Sequence, residues 1–154
     1  MKDNLGIKGE LHIVLKDGDG NIKQDDILLN TITNGMDAHI ADQMTDSGDA
    51  TIGWMAVGSG TGQSASSTDL ANFINIIALS GTSPIQGTGG DDNDAIYSAF
   101  WGAGVGTGSV REAGIFLGSA TSRSDMMTYN DALTVNKGAS DTLKIDWTVT
   151  FGAS

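Results

Sequence analysis

The chain has 154 residues, contains no cysteine and carries a formal net charge of −11. This length suits one domain with its own core, and the lack of cysteine excludes disulfides and thiolate metal sites. Because the chain has no apolar run of about 18 residues and no basic cluster, we expect no membrane span, no nucleic-acid partner and no binding to an anionic membrane surface.

The first half of the chain is predicted to contain a β-hairpin, a short helix and a buried strand. Apolar residues concentrate in 7–15 and 22–32, and the turn-forming sequence 17–21 lies between these two strands. Residues 36–44 have the apolar spacing of a short amphipathic helix, and 51–57 indicates a buried strand. Residues 69–79 are compatible with either a helix or a strand.

The second half is predicted to be mostly strands, at 95–103, 110–117, 126–135 and 140–151, after a long polar loop at 80–94. In the last strand Leu143, Ile145, Trp147, Val149 and Phe151 alternate with polar residues. This period of two is typical of a half-buried antiparallel strand whose apolar face the earlier segments cover.

These elements predict a mainly β (α+β) fold, an antiparallel β-sandwich or barrel-like domain with one or two short helices. Residues 1–154 are expected to form a single domain with a short N-terminal arm of about residues 1–8.

Three segments match ligand-binding motifs only in part. Residues 17–21 begin like a calcium-binding EF-hand loop, but Ile22 stands where glycine is required and Leu28 where an acid is required. The glycine-rich segment 58–64 lacks the lysine of a phosphate-binding loop. The acids of 91–94 have no regular ligand spacing, so a solvated loop is favoured over a cation site. We therefore expect no metal and no cofactor.

The titratable side chains also give no catalytic constellation. His12 and His39 are the two histidines, and neither has a partner base or nucleophile near it in sequence. Both are interpreted as surface or boundary residues. Glu112 lies inside an apolar strand, where a carboxylate needs an ion pair or hydrogen bonds. The sequence therefore favours a non-enzymatic protein.

Two parts of the chain are candidates for an interface. Trp54, Trp101 and Trp147 lie in predicted strands and are expected in the core by default, but Trp101 precedes a glycine-rich turn and is the best interface candidate among them. The N-terminal arm is expected to add a strand to a neighbouring subunit or to lie across it. Its proposed interface residues are Met1, Lys2, Asp3, Asn4 and Leu5.

Four segments, in this order, resemble a group of small structural proteins of tailed bacteriophages: 9–11 through 19–23, 54–61, 111–116, and Lys137 with 141–151. They span nearly the whole chain and contain no active-site motif. The resemblance implies a β-rich virion component. Since the N-terminus lacks the apolar segment of a signal peptide, we expect it to be made in the host cytoplasm.

Within that group the chain lacks the repetitive shaft of a true fibre, which favours a capsid decoration (cement) protein. The implied partners are the major capsid protein or neighbouring virion proteins. A homo-oligomer is expected, with a trimer favoured because icosahedral shells offer threefold sites. The alternatives are a tail, collar or fibre adaptor and a host receptor- or carbohydrate-binding module, which would use the 80–94 loop and Trp101.

Overall fold

The computed structural model describes residues 6–45, 51–117 and 123–152. The proposed interface residues Met1, Lys2, Asp3, Asn4 and Leu5 lie outside these ranges. The described residues contain one helix, α1 (Asn34–Thr45), and the following strands. They are β1 (Ile7–Lys16), β2 (Ile22–Leu29), β3 (Thr31–Ile32), β4 (Trp54–Gly58), β5 (Phe73–Ala78), β6 (Ile85–Gln86), β7 (Asp94–Trp101), β8 (Gly108–Val110), β9 (Glu112–Phe116), β10 (Met126–Asn130), β11 (Val135–Lys137) and β12 (Thr142–Phe151).

The strands form two five-stranded sheets and one two-stranded sheet. Sheet 1 has the order β2-β1-β12-β7-β6, sheet 2 has the order β3-β10-β9-β4-β5, and β11 pairs with β8. All neighbouring strands are antiparallel. The predicted mainly β, antiparallel fold class is confirmed.

One hydrophobic core joins the two large sheets. β12 lies in the middle of sheet 1 and directs Ile145 and Trp147 inward, where they belong to the same buried cluster as Met55 and Ile115 of sheet 2. Met36 of α1 extends this cluster. The alternation of the last strand therefore gives the burial that its sequence predicts: Leu143, Ile145, Trp147 and Val149 are fully buried and Phe151 is partly buried.

The central strands of sheet 2, β10, β9 and β4, are buried on both faces. Ala56 and Phe116 face away from the main core and form a second cluster with Leu70, which lies in the segment that connects β4 to β5. The backbone N–H of Asn34 donates to the Ala65 carbonyl, which attaches this connecting segment to the start of α1. A sheet covered on both faces explains why β4 and β9 are almost continuously apolar.

Several predicted strands differ in the structure. The predicted strands 110–117 and 126–135 each divide between sheet 2 and the β8–β11 pair. The ambiguous segment 69–79 forms a strand, β5, and not a helix. The predicted second strand at 22–32 divides at Asn30 into β2 and β3, which belong to different sheets.

The predicted arm of about residues 1–8 is too long. Ile7 and Lys8 already belong to β1, where they pair with Phe151 and Thr150 of β12. Any arm therefore ends before Ile7.

Candidate functional site

The outer face of sheet 1, which points away from the core, is the most prominent exposed apolar surface of the described residues. They contain eight exposed large apolar side chains, and five of these lie on this face. These five are Ile22 (60% exposed), Ile27 (62%), Leu29 (73%), Ile85 (45%) and Phe100 (51%). Clustering of this kind on one face indicates an interaction surface.

The strand register places these apolar side chains at the two margins of the face. On edge strand β2, Ile22, Ile27 and Leu29 lie opposite polar residues of β1. On the other margin Phe100 of β7 lies opposite Lys144, and Ile85 of β6 lies opposite another isoleucine. Residues directly opposite in an antiparallel pair share a face, so the two apolar margins border a central polar band.

Opposite charges balance within this polar band. His12 Nε2 lies 2.7 Å from an Asp25 carboxylate oxygen, and Lys144 Nζ lies 3.1 Å from Asp146. With His12 neutral, the face has a net charge of −1, so the rest of the chain carries −10 of the total of −11. The charged residues counted on the face are Lys8, Lys16, Lys144, Glu10, Asp25, Asp94 and Asp146.

A shallow groove of about 310 Å³ crosses the face at one end of the strands. Its lining combines the apolar Val14, Ile22 and Phe100 with the polar or charged His12, Lys16, Thr142, Lys144 and Asp146. Apolar and charged side chains in one groove suit a protein–protein contact, in which the apolar contacts give affinity and the charges set orientation.

The interface prediction for Trp101 is wrong, because its side chain is fully buried in the core. Alternation along β7 turns Trp101 inward and Phe100 outward. A Cβ at Gly106 would lie 2.9 Å from Trp101 Cδ1, which shows how closely the glycine-rich turn covers the indole. The exposed aromatic residue of this strand is Phe100, and only its pairing opposite Lys144 in the structure shows that it faces outward.

Glu112 is fully buried, and the prediction that it makes structural hydrogen bonds is confirmed. Its Oε1 accepts from the backbone N–H groups of Gly60 (2.9 Å) and Asn72 (2.7 Å). Its Oε2 accepts from Ala71 N–H (3.0 Å) and Gln63 Nε2 (2.8 Å). One carboxylate therefore holds together both ends of the segment between β4 and β5.

The same contacts explain the glycine-rich sequence after β4. A Cβ at Gly60 would lie 2.7 Å from both the Asn72 nitrogen and Glu112 Oε1. Asp131 accepts two further backbone N–H groups, from Gly62 and Gln63, each at 3.0 Å. The N–H groups of this loop thus bind carboxylates of the protein itself, which supports the interpretation as a structural loop over that of a phosphate site.

The acidic turn at 17–21 is a hairpin turn, as predicted. Asp17 Oδ1 accepts from the backbone N–H groups of Asn21 and Asp19, each at 2.9 Å. The hydrogen bond from Asn21 has the larger effect, and the two bonds together hold the pKa of Asp17 below its ordinary value.

Of the two histidines, His12 is exposed and His39 on α1 is largely buried. Within 6–45, 51–117 and 123–152 no group of three or more His, Asp or Glu is placed to hold a metal ion.

Sequence reasoning also missed a buried lysine beside an acid. Lys137 is 2% exposed, and its Nζ donates to the Gly102 carbonyl at 2.9 Å. Asp141 accepts from Lys23 Nζ and from Gly138 N–H, each at 2.7 Å. Burial lowers the pKa of Lys137, whereas the hydrogen bond from Lys23 lowers the pKa of Asp141. The cluster links β2 and β11 to the glycine-rich turn after β7, so its role is structural.

Comparison with known proteins gives no relative: no family model, no curated protein and no solved structure matches the chain. Among the described residues, no helix is both long enough and apolar enough to cross a membrane.

Proposed function

We propose that the chain is a non-enzymatic structural protein of a phage virion, most specifically a capsid decoration protein that binds the outer capsid surface. The observation that carries an assembly role is the outer face of sheet 1, where five of the eight exposed large apolar side chains lie. The phage assignment comes from the four-segment resemblance. Together they make the major capsid protein, or a neighbouring virion protein, the proposed partner.

In this proposal the groove around Phe100 makes the central contact with the shell. An apolar side chain of the partner would fill the groove between Val14, Ile22 and Phe100 and remove these side chains from water. The charged side chains of the same lining, Lys16, Lys144 and Asp146, would fix its orientation. The rest of the chain carries a net charge of −10, which would repel DNA and supports a position outside the shell.

The runner-up is a tail, collar or fibre adaptor, which would use the same face against a different virion protein. The host receptor- or carbohydrate-binding alternative has lost part of its basis, because the aromatic residue it relied on, Trp101, is buried. In either leading case the protein would act as a homo-oligomer.

The test is cryo-electron microscopy of the phage particle that carries this protein. Density repeated over the capsid faces would support decoration. Density confined to the tail or collar would refute decoration in favour of the adaptor, and a particle without the protein would refute both.

The contact surface can be tested in the same particles with matched variants. Phe100→Asp places a charge in the groove and is expected to remove the protein from purified particles. Val105→Asp changes a similarly exposed apolar residue (39%) in the turn after β7, outside the groove, and should be incorporated normally. Equal loss of both variants, or normal incorporation of Phe100→Asp, would contradict the proposed docking face.

A further inference from the structure

We infer that β2 pairs with β2 of a second copy across a twofold axis at Ile27, which joins two copies of sheet 1 into one ten-stranded sheet. This inference goes beyond the proposed function and does not depend on it. β2 has eight residues and forms the edge of sheet 1, where a strand offers unpaired backbone groups to another chain.

The pairing with β1 determines which backbone groups of β2 are available. Asn30 N–H donates to the Gly9 carbonyl at 3.1 Å, so the groups of Asn30 point toward β1. Because direction alternates along an antiparallel strand, the groups of Asp25, Ile27 and Leu29 point away from β1. Consistently, the Leu29 carbonyl accepts from Asn130 and not from β1. Within the described ranges no hydrogen bond reaches the backbone groups of Asp25 or Ile27 from this side.

Charge restricts the register of the pair. With the axis at Ile27, Asp25 and Asp26 lie opposite Leu29 and Leu28 of the second copy, and no two carboxylates oppose each other. An axis at Asp25 or Asp26 would place two identical carboxylates directly opposite, which is destabilising. An axis at Leu28 would limit the pairing within β2 to residues 27–29, whereas the axis at Ile27 pairs residues 25–29.

The same register explains the exposure of Ile27. Its side chain (62% exposed) would lie opposite its own copy on the outer face of the joined sheet, and Leu29 (73%) would lie opposite Asp25 and diagonal to the second Ile27. Cross-strand apolar pairs of this kind are a main source of sheet stability. The low net charge of this face, −1 of a total of −11, reduces repulsion as two copies approach.

The first test is the mass of the full chain in solution by size-exclusion chromatography with light scattering. The wild type is expected at about 32 kDa, twice the 15.9 kDa of one chain. Ile27→Lys places two charges at the axis and should halve this mass, with an unchanged circular dichroism spectrum. Met44→Lys, which alters a residue of α1 that is 82% exposed, should keep the double mass. A monomeric or trimeric wild type, or a dimeric Ile27→Lys, would overturn the inference.

The second test reads the register directly and uses the absence of cysteine from the chain. Residues in a hydrogen-bonded antiparallel pair have Cα atoms about 5.5 Å apart, within the range for a disulfide. Ile27→Cys is therefore expected to form a covalent dimer on mild oxidation. The two copies of Asp25 would be more than about 13 Å apart along the strands, so Asp25→Cys should stay uncrosslinked. Crosslinking of Asp25→Cys without Ile27→Cys would refute the register.

Discussion

Replacement of Glu112 by alanine is expected to destabilise the fold strongly, although this residue has no catalytic partner. Its carboxylate is 0% exposed and accepts four hydrogen bonds, three of them from backbone N–H groups. Alanine would leave those donors without their acceptor at the point where the segment between β4 and β5 begins and ends. The second hydrophobic cluster, which contains Leu70 of the same segment, would loosen with it.

The magnitude follows from the number and kind of bonds. A hydrogen bond to a charged group contributes about 1.5–3 kcal/mol, and a buried donor left unpaired costs about 1–3 kcal/mol. The donors are only partly buried, so water will satisfy some of them after the substitution. We therefore expect Glu112→Ala to lower the free energy of unfolding by about 3–5 kcal/mol, at the upper end of the effects of single substitutions.

Glu112→Gln is the matched control, because it keeps the size and one acceptor oxygen. Its amide N–H₂ must face two of the four donors, so we expect a smaller loss of about 1–3 kcal/mol. Urea unfolding followed by circular dichroism gives both values, and amide hydrogen exchange should accelerate at Gly60, Ala71 and Asn72. A loss below about 1 kcal/mol for alanine, or unchanged exchange at these amides, would refute the role of Glu112 as the anchor of the segment.

Three further changes test the core, the turn and the buried lysine. Trp101→Ala should lower the free energy of unfolding by about 3–5 kcal/mol, measured by urea unfolding, because it empties a fully buried site; a stability change below about 1 kcal/mol would contradict its core position. Gly106→Ala should lower the melting temperature more than Gly104→Ala. Both glycines have positive φ (65° and 76°), but of the two only Gly106 would place a Cβ 2.9 Å from Trp101. Equal melting temperatures would contradict this close contact with Trp101. Burial lowers the pKa of Lys137 below its ordinary value of 10.5. As the pH approaches 10.5, the unfolded chain therefore binds more protons than the folded chain, and the contribution of Lys137 to stability rises with pH. The stability difference between wild type and Lys137→Met should therefore shift in favour of the wild type between neutral and alkaline pH, and a difference independent of pH would contradict the buried charge.

Sequence periodicity predicted the strands well where one face of a strand meets the core and the other meets water. β12 is the clearest case, because its five apolar residues alternate without interruption. Periodicity failed for Trp101 because it identifies two faces without saying which of them is buried. On β7 both faces carry an aromatic residue, and only pairing with β12 shows that Phe100 lies outside. A shift of one residue exchanges the faces of a strand, so this error moved the candidate interface by one position.

The contacts made by Glu112 and Lys137 were beyond sequence reasoning for a different reason. Gly60 and Glu112 are 52 residues apart, and Lys137 contacts a carbonyl 35 residues earlier. Contacts at such separations depend on how the strands are ordered in the sheets. Composition and spacing indicated only that an acid within an apolar strand needs partners. They did not identify the glycine-rich loop as the partner.

The two apolar margins of sheet 1 have separate roles if both proposals hold. Pairing through Ile27 occupies the β2 margin, whereas Phe100 lies on the other margin and remains free to contact the shell. A twofold axis perpendicular to the joined sheet keeps both outer faces on the same side, so the pair presents two Phe100 grooves in one direction. Two linked contacts bind more tightly than one by avidity. Ile27→Lys is therefore expected to weaken binding to the particle by about 10²-fold or more, because each monomer keeps one groove contact but loses the linked second one. Phe100→Asp should abolish incorporation, because it removes the groove contact itself. Incorporation assays over a range of protein concentrations measure both effects, and an Ile27→Lys variant that binds as tightly as the wild type would show that the pair has no role in docking.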